Sequence, residues 1–232
     1  MMGPARDKML VFQPRRPDLT HEQFVEHWRT VHAGHARRIS ALQKYVQSHR
    51  LVETDAWSSV WGMVPSHYDG VSEAWFKGPE ELAGMTSSAE YRDGALVDEP
   101  NFLDIPRKVR LLCSERIEYA APGCEDAALA KVILALARPG EGLAAQPPTG
   151  QNAVATMVTR LPGIARYAVC EVRQMLAEDS ATQIRLVLEL GWRTQADLRE
   201  ALGTPGAGEV LADLTGHDTK ATAMAAQEFR FI

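Results

Sequence analysis

A chain of 232 residues, 45% hydrophobic and 24% charged, is long enough for one large core or two small ones and needs no metal or disulfide staple to fold. Its formal net charge of −5 argues against a nucleic-acid partner, which needs a basic face; the pairs Arg15-Arg16 and Arg37-Arg38 lack interleaved aromatics and read as solvated charge. Three cysteines without close spacing form neither a disulfide framework nor a zinc motif, and no stretch approaches the roughly 18 apolar residues of a membrane span, so a reducing, cytoplasmic setting with no membrane partner is expected.

Lys8–Phe12 is a short apolar run stopped by Pro14 and Pro17, which predicts a strand. Thr20 and Gln23 then form a capping box, and Leu19 and Phe24 stand at the two positions of a hydrophobic staple, so a helix begins here. Phe24, Trp28 and His32 recur every four residues and share a face, with Val31 and His35 beside them. Gly34 is expected to loosen this helix, and a turn-rich segment carries Ala36, Ile39 and Leu42 inward. Tyr45–Val52 has a period of two and predicts a strand, with Tyr45, Gln47, His49 and Leu51 on one face and Val46, Ser48, Arg50 and Val52 on the other. Asp69-Gly70 marks a turn before a strand over Val71–Phe76. Pro79 suits the first turn of a helix running to about Met85, a further short helix spans Ser88–Val97, and Val109–Ile117 is a fourth strand. The order β-α-β-β-α-β predicts a four-stranded antiparallel sheet with helices on one face, the ferredoxin-like arrangement.

The pattern then repeats. Lys8–Phe12 aligns with Lys131–Ala135, Leu42–His49 with Ile164–Glu171, Glu73–Leu82 with Glu189–Leu198, and Leu96–Asp98 with Leu211–Asp213, all in the same order. Two units are therefore expected, 1–119 and 128–232, joined by the Pro- and Gly-containing link Ala120–Ala128. Each unit leaves one sheet face bare, and packing the two faces together gives an α+β barrel within one chain. The second unit lacks counterparts of Trp28, His32 and His49, and Gly140–Gln151 is rich in Gly, Pro and Ala, so its first helix is expected to be short or displaced. One site, in the first unit, follows.

Arg16–Phe24, Trp28 with Val31–Ala33, Tyr45–His49, Tyr68–Val71, Glu73–Phe76 and Asp98–Phe102 together resemble the EthD family of dimeric α+β barrel proteins, over about residues 8–118. The resemblance implies that fold for this half. It implies chemistry only broadly. Families on the scaffold include cofactor-free lyases, dehydratases and decarboxylases, muconolactone isomerases, quinone-forming monooxygenases and haem-binding enzymes, and EthD proteins themselves sit beside ether-degradation systems.

His32, His49 and Tyr45 are the candidate proton-transfer groups. His32 lies on the apolar helix stripe, where a neutral imidazole serves as a base or as a core residue capping the next loop. Tyr45, Gln47 and His49 share a strand face; if it lines the barrel, it places a polar trio in an apolar cavity, and otherwise it packs on helices. Glu73 on the neighbouring strand is positioned to orient His49, act as a base or remain a partly exposed strand carboxylate. Asp98 repeats as Asp213 and reads as a turn residue. Trp28, Trp61, Trp75 and His35 complete the expected substrate-binding set, with Trp28 and Trp75 equally suited to the core and Trp57 and Trp61 placed to cover a pocket mouth. His32 and His35 form an H-x-x-H pair without a third ligand, so no metal is expected. The sequence has no G-x-G-x-x-G, Walker loop or G-x-S-x-G elbow, and no cofactor is expected. The reading is a cofactor-independent lyase or isomerase, of dehydratase or decarboxylase type, acting on a small apolar or aromatic oxygenated compound. A quinone-forming monooxygenase, a haem enzyme and a non-catalytic binder remain alternatives, and a homodimer of fused barrels stays open.

Overall fold

The computed structural model describes residues 5–137, 151–177, 184–215 and 221–232. Five strands come from the first half: β1 (Arg6–Gln13), β2 (Lys44–Arg50), β3 (Val64–Pro65), β4 (Gly70–Trp75) and β5 (Val109–Ala120). Four come from the second: β6 (Ala130–Ala137), β7 (Ile164–Ala177), β8 (Ile184–Trp192) and β9 (Thr222–Arg230). The two-residue β3 adds in parallel to β9. The other eight close an antiparallel barrel in the order β2-β4-β1-β5-β7-β8-β6-β9, with β9 returning to β2. Each half thus gives both of its edge strands to the other: β5 pairs with β7 and β2 with β9, which leaves neither edge open for association.

Helices cover the outside of this wall. In the first half α1 (His21–His27) runs through a π-helical turn (Trp28–His32) into α2 (Ala33–Ala36), followed by α3 (Asp55–Val60), α4 (Pro79–Ser87) and a second π turn (Tyr91–Ala95) that enters α5 (Leu96–Asp98). The second half carries α6 (Gln151–Arg160), α7 (Gln195–Leu202) and α8 (Ala207–Thr215). The capping box forms as its spacing requires: the Thr20 amide donates to Gln23 Oε1 at 2.8 Å and the Gln23 amide to Thr20 Oγ1 at 3.2 Å. Leu19 packs with Phe24 in one apolar cluster. The first helix is loosened by its π turn, one residue before α2, and Gly34 lies within α2. β2 ends at Arg50, and Val52 opens a short 3-10 turn, largely exposed. The Gly- and Pro-rich segment 140–150 lies outside the described residues, and α6 begins directly after it.

Strand alternation decides what the barrel contains. Leu10 and Phe12 of β1, Val71 of β4, Leu111 of β5, Ile133 of β6, Val187 of β8 and Met224 of β9 pack into one interior apolar cluster. In the same inward rows, Lys8, Glu73, Glu115, Lys131, Glu189 and Glu228 form a buried charged layer. Lys8 Nζ meets Glu73 Oε2 at 2.8 Å, Glu115 Oε1 at 2.9 Å and Glu189 Oε1 at 2.6 Å. Lys131 Nζ meets Glu189 Oε2 at 3.1 Å, Glu228 Oε1 at 3.0 Å and Glu73 Oε1. Trp75 Nε1 donates to Glu115 at 2.6 Å, and Arg166 pairs with Glu228. Burial would raise the Glu73 carboxyl, but Lys131 and Lys8 hold it far below the usual carboxylate range. Burial would likewise lower the Lys131 ammonium, and Glu189, Glu73 and Glu228 keep it charged. Oxygens of Glu73, Glu189 and Glu228 lie within 4.8 Å of one another, a spacing that suits a bound cation, and the Lys131 ammonium already contacts all three.

Candidate active site

Among the described residues the barrel interior holds the apolar cluster and the charged layer, and the candidate site lies on the other side of the wall. Tyr45, Gln47 and His49 face the helices rather than the barrel lumen, because the inward row of β2 is the one carrying Ser48, whose hydroxyl donates to Glu73 at 2.5 Å. Glu73 therefore cannot orient His49: the two project from opposite faces of the sheet, and Glu73 belongs to the lysine network. Between the outer face of β1, β2, β4 and β5 and the helical cover lies a cavity of about 310 Å³. Its walls are mostly apolar, from Met9, Val11, Ala36, Ile39, Leu42, Leu82 and Met85, with polar groups from Gln13, His32, Tyr45, Ser72, Glu99 and Arg110. The lining comes from the first half except for Leu176 of β7. On the corresponding sheet face of the second half, Tyr167, Leu188, Leu190 and Trp192 pack with Leu198 of α7 and Leu211 of α8 in one apolar cluster.

His32 owes its position to the π turn, which places its ring against Asp98. Asp98 Oδ2 lies 3.0 Å from His32 Nδ1, and Oδ1 lies 2.8 Å from His27 Nε2 and 3.2 Å from Asn101 Nδ2. Burial would raise the Asp98 carboxyl, but hydrogen bonds from His32, His27 and Asn101 hold it well below its ordinary range. A carboxylate only accepts, so His32 carries its proton on Nδ1 and keeps a lone pair on Nε2 while the ring is neutral. Phe102 packs against both rings, with centroids 4.9 Å from His32 and 5.0 Å from His27. Asp98–Phe102 is thus the cradle of His32 rather than a simple turn. Its repeat counterpart Asp213 instead pairs at the surface with Arg160, at 3.3 Å, which is why the repeat alone pointed away from a role at the site.

Tyr45 lines the same cavity. Burial pushes its hydroxyl pKa up, against hydrogen bonds to Ser72 and Gln47, so it remains a donor at neutral pH. His49 sits deeper and does not line the cavity. Its ring stacks on Trp28 at 4.5 Å, its Nε2 meets Gln47 Oε1 at 2.8 Å, and burial, with Arg29 and His21 nearby, pushes its pKa down to about 3. A ring so reluctant to take a proton is a poor base. Trp28 is fully buried and holds this stack in place; a Cβ on Gly70 would come within 2.5 Å of its ring. Gln47 is buried between the Trp28 carbonyl and Tyr45. His35 borders Gly94, Trp75 faces the barrel interior, and Trp57 and Trp61 pack on the core of the second half, not over the cavity mouth. The structure therefore gathers His32 and Tyr45 at the cavity, backs them with Gln47 and Trp28, and leaves the other expected residues elsewhere. Cys113, Cys124 and Cys170 are buried free thiols, and burial pushes Cys113 up to about 12, which removes it as a nucleophile.

The sequence profile described as the EthD domain matches residues 16–106, which contain α1, the π turn, β2, β4 and the Asp98–Phe102 cradle. The first half carries an EthD domain. Comparison with curated proteins finds no match. Among solved structures, an anthrone oxidase-like protein superposes with a TM-score of 0.60 at 9% identity, covering 99% of this chain and 94% of its own. A candidate monooxygenase from Fusobacterium nucleatum gives a TM-score of 0.51 at 7% identity, with 98% and 94% covered. Both likenesses run through the EthD domain and the second half together, so the entire barrel is the shared architecture. Among the described residues no helix is long and apolar enough to cross a membrane.

Proposed function

We propose that the protein is a cofactor-independent lyase or isomerase that moves a proton on a small, mainly apolar, oxygenated ring compound held in the cavity of its EthD domain. The observation that carries this reading is His32: an imidazole oriented through Nδ1 by a carboxylate, lining an apolar cavity beside the Tyr45 hydroxyl. In the proposed step His32 Nε2 removes a proton from a carbon next to a carbonyl. The C–H electron pair moves into a new C=C bond, and the negative charge that develops on oxygen is met by the Tyr45 hydroxyl. The imidazolium, stabilised by Asp98, then returns the proton: to another carbon in an isomerisation, or to a leaving hydroxyl that departs as water in a dehydration. We further read the two halves as tandem ferredoxin-like units over 1–119 and 128–232. Support comes from the charged layer, in which Lys8 with Glu73 and Glu115 mirrors Lys131 with Glu189 and Glu228. On this reading the second unit closes the barrel and lends Leu176, and the ligand is a small molecule rather than a macromolecule.

The test is hydrogen–deuterium exchange at the activated carbon of 2-tetralone in D₂O, with metal-chelated, haem-free protein. Exchange above the buffer rate, equal with and without oxygen and lost in His32→Ala, is the expected result. Exchange unchanged by His32→Ala removes the assigned base. The fold shared with an anthrone oxidase-like protein gives a quinone-forming monooxygenase as the second reading; oxygen uptake with anthrone, and no turnover without oxygen, selects it.

A further inference from the structure

At its polar end the cavity holds a hydrogen-bonding mismatch. Gln13 Nε2 donates to Ser72 Oγ at 2.8 Å, and Gln47 Nε2 donates both to the Trp28 carbonyl at 2.8 Å and to the Tyr45 hydroxyl at 3.3 Å. The Ser72 and Tyr45 hydroxyls lie 3.3 Å apart. Each oxygen already accepts from an amide, and only one hydrogen fits between them. Of their two hydroxyl hydrogens one is therefore left over, in a pair of residues that both line the cavity. Gln13 also lines this cavity, and its Oε1 is buried with no partner among the described residues. A buried acceptor without a partner is costly, and native proteins rarely tolerate one without a reason.

We propose that Gln13 is the specificity-determining residue of this cavity, reading the hydrogen of a ring-bound hydroxyl, a phenol or enol. Among ring-bound oxygen groups, a hydroxyl satisfies both loose ends through one oxygen: it accepts the spare hydrogen from Tyr45 or Ser72 and donates its own to Gln13 Oε1. An ether oxygen accepts but leaves Gln13 unpaired, and a ketone oxygen does so until proton transfer turns it into the enol. A carboxylate has no hydrogen to give and adds a charge to a mostly apolar chamber. This assignment rests on the proposed cavity being the ligand site, and it deepens that reading by naming the group the site recognises.

Calorimetric titration with 1-naphthol and 1-methoxynaphthalene tests it, since the two share a ring system and differ in the donated hydrogen. The wild-type protein is expected to favour 1-naphthol by about tenfold or more, because a site built to pair a hydroxyl rejects the analogue that lacks its hydrogen. In Gln13→Leu that preference collapses, while affinity for the methyl ether is kept or improves. Equal binding of the two compounds by the wild-type protein overturns the role of Gln13 and leaves the ligand site standing. A preference that survives Gln13→Leu also overturns it, since the methyl group would then simply be too large. Failure of both compounds to bind removes the ligand site itself.

Discussion

Replacing Lys131 by Met would remove one charge from the barrel interior while keeping the length of the side chain. The Lys131 ammonium is fully buried and touches Glu73, Glu189 and Glu228. The charged layer contains three cations, Lys8, Lys131 and Arg166, facing four carboxylates, Glu73, Glu115, Glu189 and Glu228. With Lys131 gone, two cations face four anions in a buried region. Breaking a buried pair in this way costs about 3–5 kcal/mol, a large part of the roughly 5–15 kcal/mol that holds a typical domain folded. The cost depends on pH, and its sign follows from linkage. In the wild-type protein Lys131 and Lys8 overcome burial and hold Glu73 below its unfolded value, so that contribution is present above about pH 4.5 and is lost as pH falls. In Lys131→Met the buried Glu73 carboxyl loses the first of the two cations that offset its desolvation, takes up a proton more readily when folded, and penalises folding increasingly as pH rises. Urea unfolding at pH 5 and pH 7 should therefore show a smaller deficit at pH 5, and adding Glu73→Gln to Lys131→Met should recover part of the loss at pH 7. A deficit below about 1 kcal/mol, or one equal at the two pH values with no recovery in the double variant, would refute the account of the barrel interior.

Other expectations concern the site and its supports. His49 has a folded pKa of about 3 against 6.5 unfolded, so the stability it confers is complete above pH 6.5 and drains away toward pH 3; the loss reaches about 2 kcal/mol at pH 5, and His49→Gln should flatten that part of the pH–stability curve. Asp98→Asn keeps the shape of the cradle but can present a donor to His32, so proton-transfer activity should fall by about 10²–10⁴-fold with little change in substrate affinity, as kcat and KM measured separately would show. Gly70→Ala places a methyl group against the Trp28 ring and the Ser48 carbonyl, and should lower stability by about 1–3 kcal/mol in thermal unfolding.

Much of the fold could be read from local signals. Thr20 and Gln23 set the start of α1 because a capping box is a contact between near neighbours, and the alternation of β2 separated Tyr45, Gln47 and His49 from Val46 and Ser48 correctly. What the alternation could not say was which face is inside. Gln47 and His49 look like the polar lining of a lumen, and Glu73 like their partner, until two sheets are brought together and the lysines of β1 and β6 are seen to need those carboxylates. Lys8 and Lys131 carried the signal: a lysine opening an apolar strand, at the same place in both repeats. The Asp98–His32 contact spans 66 residues and depends on a π turn, which has no periodicity signature, so only the structure joins them. Gln13 was hidden for the same reason, as its orphan oxygen is visible only once Ser72 has taken the amide nitrogen.

The most direct check on the central claim is to locate a bound ring hydroxyl. With 1-naphthol titrated into protein labelled at methyl and histidine positions, chemical-shift changes should concentrate on Met9, His32, Met85 and Leu176 around the EthD-domain cavity and be lost when Ala36→Trp fills it. Shifts centred instead on the barrel interior, at Met224 or Val187, or on Leu198 and Leu211 of the second half, would contradict the claim that catalysis belongs to the chamber beneath His32.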